Sequence, residues 1–235
     1  MAKRTVLKLS YFVATFPFLL LSKFAYIFNL WGFKNDVIKC SEIVSKYSNV
    51  KLPKELLFTL ELAEDHRNKL HFGIDQIALG RAILSTLKGS VQGGSTIEQQ
   101  FVRVVSNKYQ RTAKRKLYEQ LLAVHVSSLF NKENISIAYL CIAYFGQSKN
   151  GTLRLKNSTD VPFRELTYSE AIAIVARLKY PEPIIKSDKW LRNIEKRNKH
   201  LELKLNTANK SFKQDKKQLV FARTSLILTN YFIAS

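Results

Sequence analysis

Two acidic positions have neighbours that could put a carboxylate to catalytic use. Glu64-Asp65 closes an apolar helical pattern that begins at Leu56, and His66, His71, Gly73 and Asp75 follow it. Glu119 closes the run Arg111-Thr-Ala-Lys-Arg115-Lys116-Leu-Tyr-Glu119. Residues four apart share a helix face, so a helix starting at Arg111 would align Arg111, Arg115 and Glu119. A carboxylate beside a hydroxyl can serve as a general base, and grouped cations can hold an anionic leaving group. Taken singly, each arrangement also fits a solvated helix end or an exposed ion pair. Between the two lies Gln92-Gly-Gly-Ser-Thr-Ile-Glu-Gln-Gln100, a tight turn that hands over to a helix. Ser95 is the expected cap of that helix, with Glu98 reaching back in a Ser-x-x-Glu capping box. Such a helix start turns backbone N–H groups and the positive end of a dipole toward an anion.

The elements that must position these groups read as mainly α. Helical spacing of apolar residues predicts a polar helix and connector over Asp36 to Lys54 and a helix from Leu56 to Glu64. Others are expected at Asp75 to Leu87, Thr96 to Val105, Arg111 to Phe130, Lys132 to Tyr144 and Ser169 to Leu178, with a restart near Lys189. Gln147 to Pro162 reads as a loop, Lys210 to Lys217 as a solvated charge run, and Leu219 to Phe232 as an apolar helix or strand. Only 8 Gly and 5 Pro punctuate 235 residues, too few for many short strands. That length suits one domain plus a short appendage. Hydrophobic residues at 46% exclude a disordered chain.

The appendage is the N-terminal segment. Leu9 to Ser22 carries no charge, Lys23 interrupts it, and Phe24 to Phe33 is again uncharged and aromatic. A span needs roughly 20 mostly apolar residues. Only the whole stretch 9–33 is that long, and a mid-helix lysine costs about 2.5–3.5 kcal/mol, which several Leu and Phe residues offset. Lys3, Arg4 and Lys8 precede it, which keeps the N-terminus (residues 1–8) cytoplasmic, and Tyr26 and Trp31 suit the far interface. Residues 34–55 then connect to a domain over 56–235 on the outer face. A cleaved signal peptide competes but lacks a small-x-small cleavage site. A buried hairpin of apolar helices is the other alternative.

The 38 Lys and Arg against 18 Asp and Glu leave +20, so an anionic partner is implied: nucleic acid, a membrane surface or a phosphorylated substrate. Basic clusters at Tyr109–Lys116, Lys196–His200 and Lys213–Lys217 interleave with a few aromatics, but no nucleic-acid motif accompanies them. Cys40 and Cys141 match no metal or redox spacing and neither require nor exclude a disulfide. A metal site from Glu64, Asp65, His66, His71 and Asp75 would need a helix that begins before Gly73.

The ordered strings resemble the five motifs of the peptidoglycan glycosyltransferases (glycosyltransferase family 51), the monofunctional transglycosylases and the transglycosylase domains of penicillin-binding proteins. Glu64-Asp-His-Arg-Asn-Lys-Leu-His71-Phe-Gly73-Ile-Asp75 is similar to their Glu-Asp-x-x-Phe-x-x-His-x-Gly-x-Asp. Gly93-Gly-Ser-Thr-Ile-Glu-Gln-Gln100 is similar to Gly-Gly-Ser-Thr-Ile-Thr-Gln-Gln, and Arg115-Lys-Leu-Tyr-Glu119 to Arg-Lys-x-x-Glu. Lys132 to Gly146, with Tyr139 and Tyr144-Phe145-Gly146, and Lys196-Arg197-x-x-His-Leu resemble the fourth and fifth. The resemblance implies a lysozyme-like, two-lobed helical domain behind an N-terminal transmembrane helix, in the bacterial inner membrane with its domain outside. It implies polymerisation of lipid II into glycan strands, with inversion and release of polyprenyl diphosphate.

By the same resemblance Glu64 is the base and Glu119 the second essential carboxylate. Arg103 (where the family has Lys), Arg111 and Arg115 surround the diphosphate, Ser95, Thr96 and Gln99 line the cleft, and Asp65 and Lys116 support them. His71 is read as structural. No protein-held metal is expected, and a divalent cation (Mg or Mn) at the diphosphate is the one cofactor left open. The implied partners are lipid II, the growing strand, the membrane and other cell-wall synthesis proteins, with no nucleic acid. Asn68, Glu98, Val104 and Cys141 depart from the family pattern. They keep open a weakly active or inactive relative that binds lipid-linked precursor or cell-wall synthesis partners.

Overall fold

The structure, a computed structural model, describes residues 2–90, 93–146 and 166–208. Helices α1 (Ala2–Ile27), α2 (Phe33–Tyr47), α3 (Lys54–Glu64), α4 (Gln76–Leu87), α5 (Ile97–Ser106), α6 (Ala113–Leu129), α7 (Lys132–Ile142) and α8 (Tyr168–Lys179) follow one another, and residues 188–208 form α9. Among the described residues there is no strand, only an isolated bridge between Gly146 and Glu182. The chain is mainly α, as its spacing predicts. The loop expected over Gln147 to Pro162 and the two tail segments expected from Lys210 onward lie outside the described residues.

The helix boundaries follow from local chemistry. Short polar side chains cap the helix starts, among them Asp75 on Ala78 N, Thr112 on Arg115 N, Asn131 on Asn134 N and Thr167 on Glu170 N, each satisfying an otherwise orphaned N–H. Helix α5 ends at Asn107, which takes a left-handed φ of 53°, a residue type that tolerates that region. The core is a set of apolar faces turned inward. Phe33, Leu56, Leu60, Phe101, Leu122, Ile135, Leu140 and Phe145 are fully buried, each such side chain contributing about 1.5–3 kcal/mol. Helix α6 is the hub: α1, α2 and α5 pack on it, α7 covers α2 and α5, and α8 lies on α3.

The apolar N-terminal segment is helical only to Ile27. Asn29 and Trp31 then take left-handed backbone angles, which break the helix, and Phe33 turns inward to meet Tyr118 and His125 edge-on. Residues 28–33 therefore form a turn and the start of α2 and do not extend the long helix. Arg4–Ile27 is long and apolar enough to cross a membrane. One face of α1 docks on the domain. Tyr11 donates to Asp75 Oδ1 at 2.8 Å and Gln76 donates to Thr15 Oγ1 at 2.7 Å. The opposite face leaves Leu9, Val13, Phe16, Leu20, Phe24 and Ile27 exposed.

Gly73 makes the sharp turn that joins the first motif to α4. Its φ is +85°, and a Cβ there would lie 2.6 Å from the Ala123 carbonyl oxygen. Gly80, inside α4, would place a Cβ in open space. Gly73→Ala should cost at least about 1–3 kcal/mol through strain and overpacking, whereas Gly80→Ala should stabilise by about 0.5–1 kcal/mol. Denaturant unfolding of the two variants in the same detergent checks both signs.

Candidate active site

Glu64 is the last residue of α3, where helical carbonyls run out of intrahelical donors. Helix α9 supplies the missing donors: Arg197 Nη2 reaches Ala63 O at 3.3 Å and Lys204 Nζ reaches Leu62 O at 3.4 Å. Cations there also oppose the negative end of the helix dipole. The same Arg197 nitrogen binds Glu64 Oε1 at 2.7 Å. Gln100 Nε2 donates to Glu64 Oε2 at 3.0 Å, and Tyr139 OH donates to Gln100 Oε1 at 2.7 Å. The phenol's hydrogen bond fixes which end of the amide faces Glu64. Burial, and then the charge of Glu64, push the Tyr139 pKa up, so the phenol stays a donor. Glu64 retains 17% side-chain exposure, enough to be reached from solvent.

Glu119 sits on the second turn of α6 and is 3% exposed. Arg103 grips it with a two-pronged fork, Nε to Oε2 at 2.8 Å and Nη2 to Oε1 at 3.0 Å, a geometry that lysine cannot supply. Lys116 adds a bond to Oε1 at 2.6 Å, and Arg115 Nη1 binds Oε2. Arg103 and Lys116 both also reach Ser95 Oγ, at 3.3 and 3.2 Å. Burial works to raise the Glu119 pKa, but the hydrogen bonds from Arg103 and Lys116 and their charges outweigh it and hold the carboxyl below its usual range. Burial, with Arg103 and Arg115 close by, lowers the Lys116 pKa. Three cations share one carboxylate, so two positive charges remain uncompensated.

A third buried network lies at the start of α5. Asp65 accepts from His71 Nε2 at 2.9 Å and from the Ile97 N–H at 3.2 Å. Lys132 Nζ sits 3.2 Å from His71 Nδ1 and binds Glu98 Oε1. Asp65, His71 and Glu98 are close enough to hold a metal ion together. The Lys132 ammonium already takes up the Glu98 carboxylate and the His71 Nδ1 lone pair that such an ion would need. Glu98 is fully buried. Burial raises its pKa, and the Lys132 charge more than reverses that. Asn68, also buried, has neither amide atom bonded to a protein group.

Several sequence expectations change in place. The cap of α5 is Thr96, one residue later than expected, and the residue reaching back is Gln99. Glu98 is thereby turned inward to Lys132, and Ser95 is freed to face the cations. Thr96 and Gln99 are buried, with Thr96 Oγ1 donating to Gly73 O at 2.8 Å, so they build the turn and do not line a cleft. Arg111 is exposed and precedes α6, which begins at Ala113; it shares no helix face with Glu119, and Arg103 takes that place. His66 is exposed, and the helix near Asp75 starts only at Gln76, so the helix that a five-residue metal set would need does not form. Gln100, Tyr139, Lys132 and Arg197 join the site although the sequence reading gives them no role. Their signal is present in the chain, since all four fall inside motif strings. Neither cysteine is in a disulfide, and both are buried.

Helix α5 connects the two carboxylates. Gln100 and Arg103 lie three residues apart on one helix face, one touching Glu64 and the other Glu119. Fold and site together define a mainly helical domain that presents an accessible carboxylate beside an excess of positive charge. The transglycosylase family profile matches residues 38–206. Penicillin-binding protein 1A of Aquifex aeolicus is 34% identical over 137 residues, 56% of this chain and 18% of that protein. Penicillin-binding protein 1F of Bacillus subtilis is 31% identical over 148 residues, 59% and 20% of the two chains. Penicillin-binding protein 1B of Vibrio cholerae is 32% identical over 138 residues, 56% and 18%. The chain thus spans about a fifth of the length of these relatives. It belongs to the transglycosylase family, glycosyltransferase family 51.

Because the folded-state pKa of Glu119 is depressed, its stabilisation is present above the ordinary glutamate range and is lost as pH falls through the folded value. Glu119→Gln should cost about 1–3 kcal/mol near neutrality by leaving three cations without their anion, an amount moderated by their partial exposure. The variant should also lose part of the wild-type's acid-induced destabilisation. Unfolding midpoints measured across an acid-to-neutral pH series check both.

Proposed function

We propose that the chain is a membrane-anchored peptidoglycan glycosyltransferase that polymerises lipid II with inversion and releases polyprenyl diphosphate. The observation that carries this reading is the single face of α5 that joins Glu64 to the cation cluster of Glu119. A base and a leaving-group clamp must stand on either side of one reacting carbon, and a rigid helix keeps their spacing. Glu64 takes the proton of the acceptor sugar's 4-hydroxyl, whose oxygen attacks the donor's anomeric carbon. The bond from that carbon to the diphosphate breaks, and its electron pair leaves on the diphosphate oxygen. The acceptor hydroxyl stands where water stands in an inverting glycosidase.

A diphosphate diester carries about two negative charges, matching the two positive charges that Glu119 leaves uncompensated. On departure it gains one more, so Arg103, Arg115 and Lys116 bind the transition state more tightly than the ground state. A Mg or Mn ion bridging the diphosphate would have to rest on the substrate's own oxygens. The Glu119 carboxylate is already engaged by three cations, and the residues around it do not fit a protein-held metal. Lys132 argues against one at Asp65, His71 and Glu98.

Arg197 and Gln100 hold and aim Glu64, and the acceptor hydroxyl has to enter that arrangement. The engagement of both Glu64 oxygens also favours a second reading, a relative that binds lipid-linked precursor with little turnover. The apolar outer face of α1 supports attachment to the bacterial inner membrane, with the basic first residues on the cytoplasmic side and the domain outside. There the remaining basic residues lie against anionic headgroups.

Full-length protein in detergent should convert labelled lipid II to polymer, and Glu64→Gln should lower that rate about 10²–10⁴-fold. Arg197→Lys, which shortens the side chain and loosens its hold on Glu64, should lower turnover about 10–100-fold while lipid II affinity changes little. Lipid II binding without product from the parent protein would favour the second reading; neither binding nor product would refute both.

A further inference from the structure

The first turn of α6, which carries Lys114 and Arg115, borders a concavity. It holds about 300 Å³ and is lined by Trp31, Lys108, Gln110, Lys114, Arg115 and Tyr118. Of its lining, only Arg115 also takes part in the cluster around Glu119. Its wall combines two aromatic rings with three cations, and each cation is held in place. Lys108 lies 3.7 Å over the Tyr118 ring and 2.7 Å from Asp36 Oδ2. Tyr118 OH donates to the same carboxylate oxygen at 2.7 Å. Arg115 Nε donates to Gln110 O at 2.6 Å while its Nη1 binds Glu119. Lys114 Nζ stands 4.9 Å over the Trp31 ring.

Backbone strain and charge both bear on what enters. Trp31 is held at φ 54°, between Asn29 at 45° and Gly32 at 76°. A bulky residue rarely adopts that backbone, and such strain persists where the surroundings impose it and gathers at binding sites. The turn leaves Trp31 53% exposed, four residues past the end of the apolar helix α1, where an interfacial tryptophan belongs. The charges also count out. Lys108 is paired with Asp36 and Arg115 belongs to the cluster around Glu119, whereas Lys114 has no anionic partner among the described residues. Lys114 is the cation of this cavity with no carboxylate of its own, and beside an aromatic wall it matches a ligand with a negative charge and an apolar continuation.

We propose that the cavity between Trp31, Lys108 and Lys114 binds the headgroup of an anionic phospholipid, with the phosphodiester on Lys114 and the glycerol end against Trp31. The proposal uses the membrane attachment argued above only as the source of the lipid. A bound lipid here would brace the α1–α2 turn against α6, immediately beside the cation cluster.

The test is a fluorescence titration of the full chain carrying Glu64→Gln, in a nonionic detergent, read as the difference from the same protein with Trp31→Phe. Dihexanoyl phosphatidylglycerol should shift the Trp31 emission saturably. Lys114→Glu should weaken the apparent affinity at least tenfold, and Lys114→Arg should keep it. An equal response to dihexanoyl phosphatidylcholine would overturn the proposal, because charge would not matter. An equal response to inorganic phosphate would overturn it in favour of a free-anion site. An unaltered affinity in Lys114→Glu would overturn it too, because the phosphodiester is placed on that ammonium. A folded Lys114→Glu protein is verified by its unchanged circular dichroism. The readout requires no polymerisation, so its failure and failure of the glycosyl-transfer reading are separate results.

Discussion

The seating of α5 holds both ends of the site in place. Its first N–H groups are met by the Thr96–Gln99 capping box and by the carboxylate of Asp65, which arrives from the end of α3. Asp65 is in turn held by His71, and His71 by Lys132 of α7. Three helices are thereby tied to one turn of backbone. With that turn fixed, Gln100 and Arg103 can point from one face toward two different carboxylates. Loosening Asp65 would move both ends of the site together, because no flexible joint separates them.

The two carboxylates differ in how their charge is met. Glu119 is buried beneath an excess of cations, so it organises positive charge and has little freedom to accept a proton. Glu64 is met by one cation and one amide and remains open to solvent. Environment separates two chemically identical groups into a clamp and a base candidate, the general way in which paired acids acquire distinct roles.

The positions that depart from the family pattern are partly accounted for by packing. Glu98, where the family has Thr, is compensated by Lys132 in full burial. Arg103, where the family has Lys, exchanges a point charge for a two-pronged grip on Glu119. Asn68, where the family has Phe, places an amide in the core with no protein partner, and nothing in the structure explains why an amide stands there. Buried polar atoms of this kind are ordinarily met by ordered water.

The helices are legible in the chain because the 3.6-residue recurrence of apolar side chains and the capping residues are local properties. The strings that carry chemistry are legible too: Glu64, Glu119, Ser95, Arg115 and Lys116 reach the site from the motifs that contain them, and Arg103 follows three residues after the second string. Sequence reasoning fails wherever the outcome depends on a one-residue choice or on a distant element. Ser95 and Thr96 are equally good caps on paper, and only the Gly73 carbonyl, which accepts from the Thr96 hydroxyl, decides between them. Arg111 matches its string, yet α6 starts two residues later, so helical arithmetic from Arg111 fails. Arg197 is 133 residues from Glu64, and no periodicity links them. Packing sets those partnerships, because a side chain's charge and shape are written locally while the group that answers them is chosen by how the helices come together.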